Sequence, residues 1–179
     1  MKKISKNEIT AVILAGGQAS RMDGEDKGLI VFRELPLISH VINITKPKVS
    51  QILISANRNF EEYANFGKVI SDDLEGYQGP LAGISKALKV CSTPYLLVLP
   101  CDSPLIDAAL IDSLIEKMEV SNVDICVAHD GSIMHATFAL MQTKLEKSLE
   151  EFLGEGGRKM ALWYRQQSLE RIDVSSHLE

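Results

Sequence analysis

Apolar residues fall into short runs separated by polar, turn-forming stretches. Residues 9–15 (Ile-Thr-Ala-Val-Ile-Leu-Ala) are nearly continuous in apolar character, the pattern of a strand buried on both faces of a parallel sheet. Comparable runs stand at 51–55, 68–70, 95–99, 124–128, 136–141 and 169–174. Between them the spacing changes to that of helices. Pro36 opens a stretch with Leu37, Ile38, Val41 and Ile42 on one face, ending before Pro47. Residues 59–65 suit a short helix, and a turn-rich segment, 72–83, leads into another that runs through Val90. Residues 107–119 place Leu110, Ile111, Leu114, Ile115 and Met118 on one stripe, with Asp107 able to cap the first turn. Helices are also predicted over 143–153 and 158–166, with Gly154, Gly156 and Gly157 between them, and 129–135 reads as a turn. Strands alternating with helices at this spacing predict βαβ units and a mostly parallel sheet. The expected architecture is one three-layer α/β domain over residues 1–179, with a polar, loose extension at 1–8.

The predicted strand ends carry the chemistry. Gly16-Gly17 follows the first strand, Asn57 the second, Asp72-Asp73 the third and Asp102 the fourth. Each is also a common turn residue. In open α/β sheets, however, ligands bind at the carboxyl ends of the strands. The loop after the first strand, 14–28, combines two glycines with Arg21 and Lys27. Glycines let backbone N–H groups approach an anion, and the two cations add a fork and a point charge. The loop therefore suits a polyphosphate, although it is neither a Walker A loop nor a G-x-G-x-x-G fingerprint. Asp102 lies in Leu-Pro-Cys-Asp-Ser-Pro, directly after the most apolar run. A lone carboxylate at such a mouth suits Mg²⁺, which takes one or two carboxylates with phosphate oxygens and waters. Gly154-Glu-Gly-Gly-Arg158-Lys159 reads equally as an anion nest or as a helix C-cap.

Charge and composition narrow the classes. The chain has 179 residues, 19 Lys+Arg and 24 Asp+Glu, a net charge of −5. That balance argues against a duplex-DNA coat protein, and 6% aromatic residues against a single-strand stacking platform. The charge is uneven: residues 1–33 carry +2 and the remainder −7, so an anionic ligand would favour the N-terminal segment. Three cysteines (Cys91, Cys101, Cys126) without a C-x-x-C pair fit reduced thiols and a cytoplasmic location. No apolar run approaches the ~20 residues of a membrane span. His40, His129, His135 and His177 stand in no nucleophile or zinc pattern, so acyl transfer and zinc hydrolysis lack support.

Leu14-Ala-Gly-Gly-x-x-Ser-Arg21-Met, Asp26-Lys27-Gly28, Gly79-Pro-Leu-Ala-Gly83 and Pro100-Cys-Asp102-x-Pro104 together resemble the molybdenum cofactor guanylyltransferases, the MobA-like family of nucleotidyltransferases with a Rossmann-like fold. The first motif is shared with other nucleotidyltransferases; the other three are more particular to the guanylyl branch. The resemblance implies transfer of GMP from GTP to the terminal phosphate of molybdopterin, with release of pyrophosphate and dependence on Mg²⁺. It implies that Leu14, Ala15, Gly16 and Gly17 offer backbone groups to guanine and phosphates. Lys27 and Arg21 would act on the phosphates, Asn57 and Asp72 would contact the nucleotide, and Gly79, Pro80 and Leu81 would border it. Asp102 would bind the metal, and Arg158 and Lys159 are candidates for the pterin side. The family segment matching His135-Ala-Thr-Phe-Ala-Leu usually has proline where Ala136 stands. Implied partners are GTP, molybdopterin, cofactor-delivery proteins and acceptor molybdoenzymes, with no nucleic acid and no membrane. The competing readings are CTP on the same cofactor, a nucleotide on a sugar phosphate, or a non-catalytic nucleotide-binding module.

Overall fold

In the computed structural model, which describes residues 3–16, 26–71 and 79–175, seven strands build one sheet in the order β5-β4-β1-β6-β8-β7-β9. In chain order the elements are β1 (Ile9–Leu14), a small hairpin of β2 (Val31–Phe32) and β3 (Leu35–Pro36), α1 (Leu37–Thr45), β4 (Gln51–Ser55), α2 (Phe60–Ala64) and β5 (Lys68–Ile70). Then come α3 (Pro80–Val90), β6 (Tyr95–Pro100), α4 (Ala108–Ser121), β7 (Ile125–His129), β8 (Met134–Gln142), α5 (Glu146–Gly154), α6 (Met160–Tyr164) and β9 (Leu169–Asp173). Strands β5, β4, β1 and β6 pair in parallel; β8 is antiparallel to both neighbours, β6 and β7. The mostly parallel three-layer sheet expected from the pattern is therefore present.

Two apolar layers cover the sheet. On one face Ile38, Val41, Leu110, Ile111, Leu114 and Met118 of α1 and α4 pack on Ile9, Ala11, Ile13, Leu97 and Leu99. On the other, Leu81, Ile84 and Leu88 of α3, with Leu149 and Phe152 of α5 and Trp163 of α6, pack on Val12, Leu53, Leu96 and Val98. Successive residues of β1 thus serve opposite cores, as the two-residue period of a strand requires. The Asp107 carboxylate accepts from the Ala109 N–H at 3.1 Å and caps α4 as anticipated.

Three features depart from the sequence reading. The described part of the N-terminal extension is docked rather than loose: Ile4 is buried, and its N–H donates to Glu119 Oε1 at 2.6 Å. Pro36 closes β3, and α1 begins one residue later. The β2–β3 hairpin itself left no signal, because its turn uses Arg33 and Glu34 at φ 47° and 70° instead of glycine or asparagine. Finally, β8 begins at Met134 and bulges: Val127 pairs Ala139, but the next residue, Ala128, pairs His135.

The chain leaves β1 toward β4 and β5, then returns through α3 to place β6 on the other side of β1. The carboxyl ends of β1, β4 and β6 lie side by side, with Leu14 opposite both Ser55 and Pro100. This is the topological switch point, where a crevice opens outside the strand ends.

Candidate functional site

A cleft of about 140 Å³ occupies that crevice. Its floor is the strand ends Leu14, Ser55 and Pro100, with Gly16 and Asn57 one step beyond. Gly79, Pro80 and Gly83 of the α3 N-terminus form one wall, and Thr137 of the β8 bulge the other. Ligand pockets usually enclose ~300–1,000 Å³, so these residues make one part of a nucleotide site. Larger clefts exist elsewhere, about 330 Å³ near Gln51 and Gly67 and about 210 Å³ between α3 and α5. The first lies where β4 begins, the wrong end of the strands for this fold, and the second holds none of the motif residues that follow strand ends.

Local sequence explains the wall. Gly79 has φ 77° and ψ −177°, a conformation open essentially to glycine alone, and Pro80 starts the helix with its pre-set φ. A Cβ on Gly83 would collide with Ser55 Oγ, so glycine there lets α3 close onto the end of β4. The bulge of β8 turns Thr137 into the cleft, and the buried Tyr164 hydroxyl donates to the Ala136 carbonyl at 2.8 Å to satisfy the interrupted ladder.

Beside the cleft, Lys27 Nζ lies 3.1 Å from Asp102 Oδ2, with the two side chains 63% and 37% exposed. The residues that flank this pair are fixed. Asp26 is buried, yet its carboxylate accepts from Arg58 Nε and Nη2 at 3.0 Å each and from Asn59 Nδ2 at 2.8 Å. The hydrogen bond from the guanidinium to Asp26 raises the Arg58 pKa. Gly28 is buried beneath Tyr63: a Cβ there would stand 2.8 Å from Tyr63 Oη and 3.3 Å from Cys101 Sγ. Burial, and then the Asp102 charge, push the Cys101 thiol up to about 12. Asp-Lys-Gly is thus an anchored carboxylate, an outward cation and a residue with no room for a side chain. Among the described residues no group of three His, Cys, Asp or Glu could cage a metal.

Leu14, Gly16, Asn57, Gly79 and Pro80 thus line the cleft, while Lys27 and Asp102 pair beside it. Ala15 and Leu81 do not line it: both are buried, and Ala15 donates its N–H to the Ser55 carbonyl at 2.9 Å. Gly17, Arg21, Asp72 and Asp73 lie outside the described residues. Arg158 Nη1 donates to the carbonyls of Leu153 and Gly157, and Gly156 sits at φ 87° after α5. That is the helix C-cap reading of this segment, although the Arg158 carbonyl does approach the site at Gly79. Sequence reasoning missed Ser55, Thr137, Arg58 and Asn59. Asn57-Arg58-Asn59, three polar residues after a buried strand, was the available signal for the last two; for the bulge, the available signal was the proline that the family segment usually has where Ala136 stands.

The fold and cleft define an α/β protein with a candidate ligand cleft at a switch point between parallel strands. Comparison with known proteins places it further. Residues 11–171 match the family model described as MobA-like NTP transferase domain, and the chain belongs to that family. It is 45% identical over 169 residues to the molybdenum cofactor guanylyltransferase of Shewanella sediminis, covering 94% of this chain and 86% of the relative. It is 47% identical over 161 residues to that of Shewanella putrefaciens, covering 89% and 83%. Among solved structures, the molybdopterin-guanine dinucleotide biosynthesis protein A of Archaeoglobus fulgidus superposes with a TM-score of 0.76 at 19% identity, over 93% of this chain and 84% of that one. At that identity the likeness speaks for the fold.

Proposed function

We propose that the protein is a molybdenum cofactor guanylyltransferase: it transfers GMP from GTP to the terminal phosphate of molybdopterin, giving the guanine dinucleotide cofactor and pyrophosphate. The observation that carries the reading is the Lys27–Asp102 pair beside a switch-point cleft, in a chain 45% identical to an enzyme of that name.

A phosphate oxygen of the acceptor attacks the α-phosphorus of GTP in line. A new P–O bond forms, the bond to the bridging oxygen of pyrophosphate breaks, and pyrophosphate leaves with that electron pair. A phosphate monoester has its second pKa near ~6 and is largely ionised at neutral pH, so no general base is required. What the chain must supply is alignment and relief of repulsion between two polyanions. Lys27, 63% exposed, presents a cation to the phosphates. Gly16 and the α3 N-terminus leave backbone approachable from the cleft. Asp102 would hold a magnesium ion as a single carboxylate, 37% exposed, since Mg²⁺ takes one or two carboxylates and completes its shell with phosphate oxygens and waters. Held by Asp102, magnesium would supply charge neutralisation to the triphosphate. Arg21 and Asp72 complete the proposal, the first on phosphates and the second on guanine or ribose. Asp72 as an acceptor would match the N1–H and N2–H₂ donors that adenine and cytosine lack.

The reading carries a cytoplasmic location, in keeping with three unpaired cysteines, and delivery and acceptor proteins for the cofactor as partners. Among the described residues no helix is long and apolar enough to cross a membrane.

Thermal unfolding with Mg²⁺ and each nucleotide tests it first. At ~100 Kd a ligand stabilises by about 2.7 kcal/mol, roughly 5–10 °C for a chain of this size. The expected result is a shift with GTP, and pyrophosphate release when molybdopterin is added. A shift with CTP in place of GTP, or GTP binding without pyrophosphate release, would overturn the assignment.

A further inference from the structure

The carboxylate of Asp26 is a buried charge beside the site, and nothing in the proposed chemistry uses it. Its partners come from the loop after β4. Arg58 grips both carboxylate oxygens at 3.0 Å, the two-pronged geometry that only a guanidinium can make, and Asn59 adds a third bond at 2.8 Å. Asn59 adopts φ 50° and ψ 40°, a conformation asparagine tolerates better than other side chains. The residue before Arg58 in the same loop, Asn57, lines the cleft. The residue following Asp26 is Lys27, whose ammonium faces Asp102. One short loop therefore touches the cleft with Asn57 and holds the backbone under the phosphate-facing cation with its next two residues.

We propose that Arg58 is a positioning residue that acts through Asp26 to set Lys27 opposite Asp102, tying the nucleotide cleft to the phosphate-facing cation. The proposal rests on the role given above to Lys27. It follows from reach. Lys27 is exposed and its ammonium meets Asp102 in an exposed ion pair, which fixes little by itself, so its placement rests on its backbone, which starts beside the Asp26 anchor and is bounded on the other side by Gly28 packed under Tyr63. Release of Asp26 frees one end of that clamp. Displacing a positioned group by about 1 Å can cost ~10²-fold in rate. Arg58 itself is 40% exposed and pairs a carboxylate that is 4% exposed, so its loss also leaves a buried charge held by Asn59 without a cation.

A double-mutant cycle with Lys27 separates positioning from simple support of the fold. In the wild-type background Arg58→Gln should lower kcat/KM for GTP about 10–100-fold. In a Lys27→Ala background the same change should cost less than about 3-fold, because the group it positions is already gone. Arg58→Lys keeps a cation but not the two-pronged grip, and should fall between wild type and Arg58→Gln; it also serves if Arg58→Gln does not fold. An equal cost of the Arg58 change in both backgrounds, or a loss no larger than the unfolded fraction at the assay temperature, would overturn the proposal. Should the wild type show no pyrophosphate release, the guanylyltransfer reading fails by itself. The cycle is then read from the calorimetric Kd of magnesium-GTP, where additivity would overturn the clamp and non-additivity would sustain it.

Discussion

Replacing Gly28 with alanine puts a methyl group where the structure has no space for one. The new Cβ would stand 2.8 Å from Tyr63 Oη, 3.2 Å from Tyr63 Cε1 and 3.3 Å from Cys101 Sγ. Neither neighbour can swing aside, since Tyr63 is fully buried and Cys101 is 5% exposed. Overpacking of this kind typically costs ~1–3 kcal/mol. For 179 residues each kcal/mol moves the melting temperature by ~2–4 °C, so Gly28→Ala should melt roughly 5 °C below wild type. Tyr63 provides an internal control. Its hydroxyl is buried with no hydrogen-bond partner among the described residues, which ordinarily costs ~1–3 kcal/mol. Tyr63→Phe should therefore be neutral or raise the melting temperature by a few degrees. It also deletes the atom nearest the new methyl, leaving contacts of 3.2 and 3.3 Å that small shifts can absorb. In the Tyr63→Phe background, Gly28→Ala should lose at least half of its cost. Differential scanning calorimetry of the four proteins decides it. A Gly28→Ala protein melting within about 1 °C of wild type, or a cost undiminished when Tyr63→Phe is also present, would refute the steric account of this glycine.

Other consequences are as direct. Lys27→Ala and Asp102→Ala should each fold, with melting temperatures within ~3 °C of wild type because the ion pair is exposed, yet lose ~10²–10³-fold in turnover; near-normal rates in a pyrophosphate-release assay would remove either residue from its role. Thr137→Val keeps the shape of the cleft wall and deletes its hydroxyl, so magnesium-GTP should bind about 3–10-fold more weakly by calorimetry, and unchanged affinity would exclude Thr137 as a contact. Burial pushes the Cys101 and Cys126 thiols up to about 12 and about 11, so in the native protein near pH ~8 Ellman's reagent should titrate the half-buried Cys91 quickly and the other two only on unfolding; three thiols reacting together before unfolding would contradict their burial. The Ile133 and Ser132 N–H groups hold the Asp130 carboxyl well below the usual carboxylate range. A depressed native pKa gives stability that is present above the unfolded value of ~3.9 and fades as pH falls below it, so the melting difference between wild type and Asp130→Ala should be full near pH ~5 and shrink toward pH ~2.

The primary sequence by itself determined the seven strands of the main sheet, most of the helices and the edge where chemistry gathers. A two-face-buried strand must be a near-continuous apolar run, and Ile9–Leu14 and Tyr95–Pro100 are such runs whatever surrounds them. Polar residues that follow parallel strands must share one edge, which is why Gly16, Asn57 and Asp102 could be grouped without a structure. Tertiary structure alone decided what those residues touch. No local pattern says that Arg58 will reach back 32 residues to Asp26, because a bidentate pair depends on how two loops meet across strand ends. Nor does the pattern show that Gly28 lies under Tyr63, or that a bulge opposite Val127 and Ala128 turns Thr137 into the cleft. Burial periodicity is a property of one segment and its solvent; contacts between segments are a property of the folded whole, and the site is made of the latter.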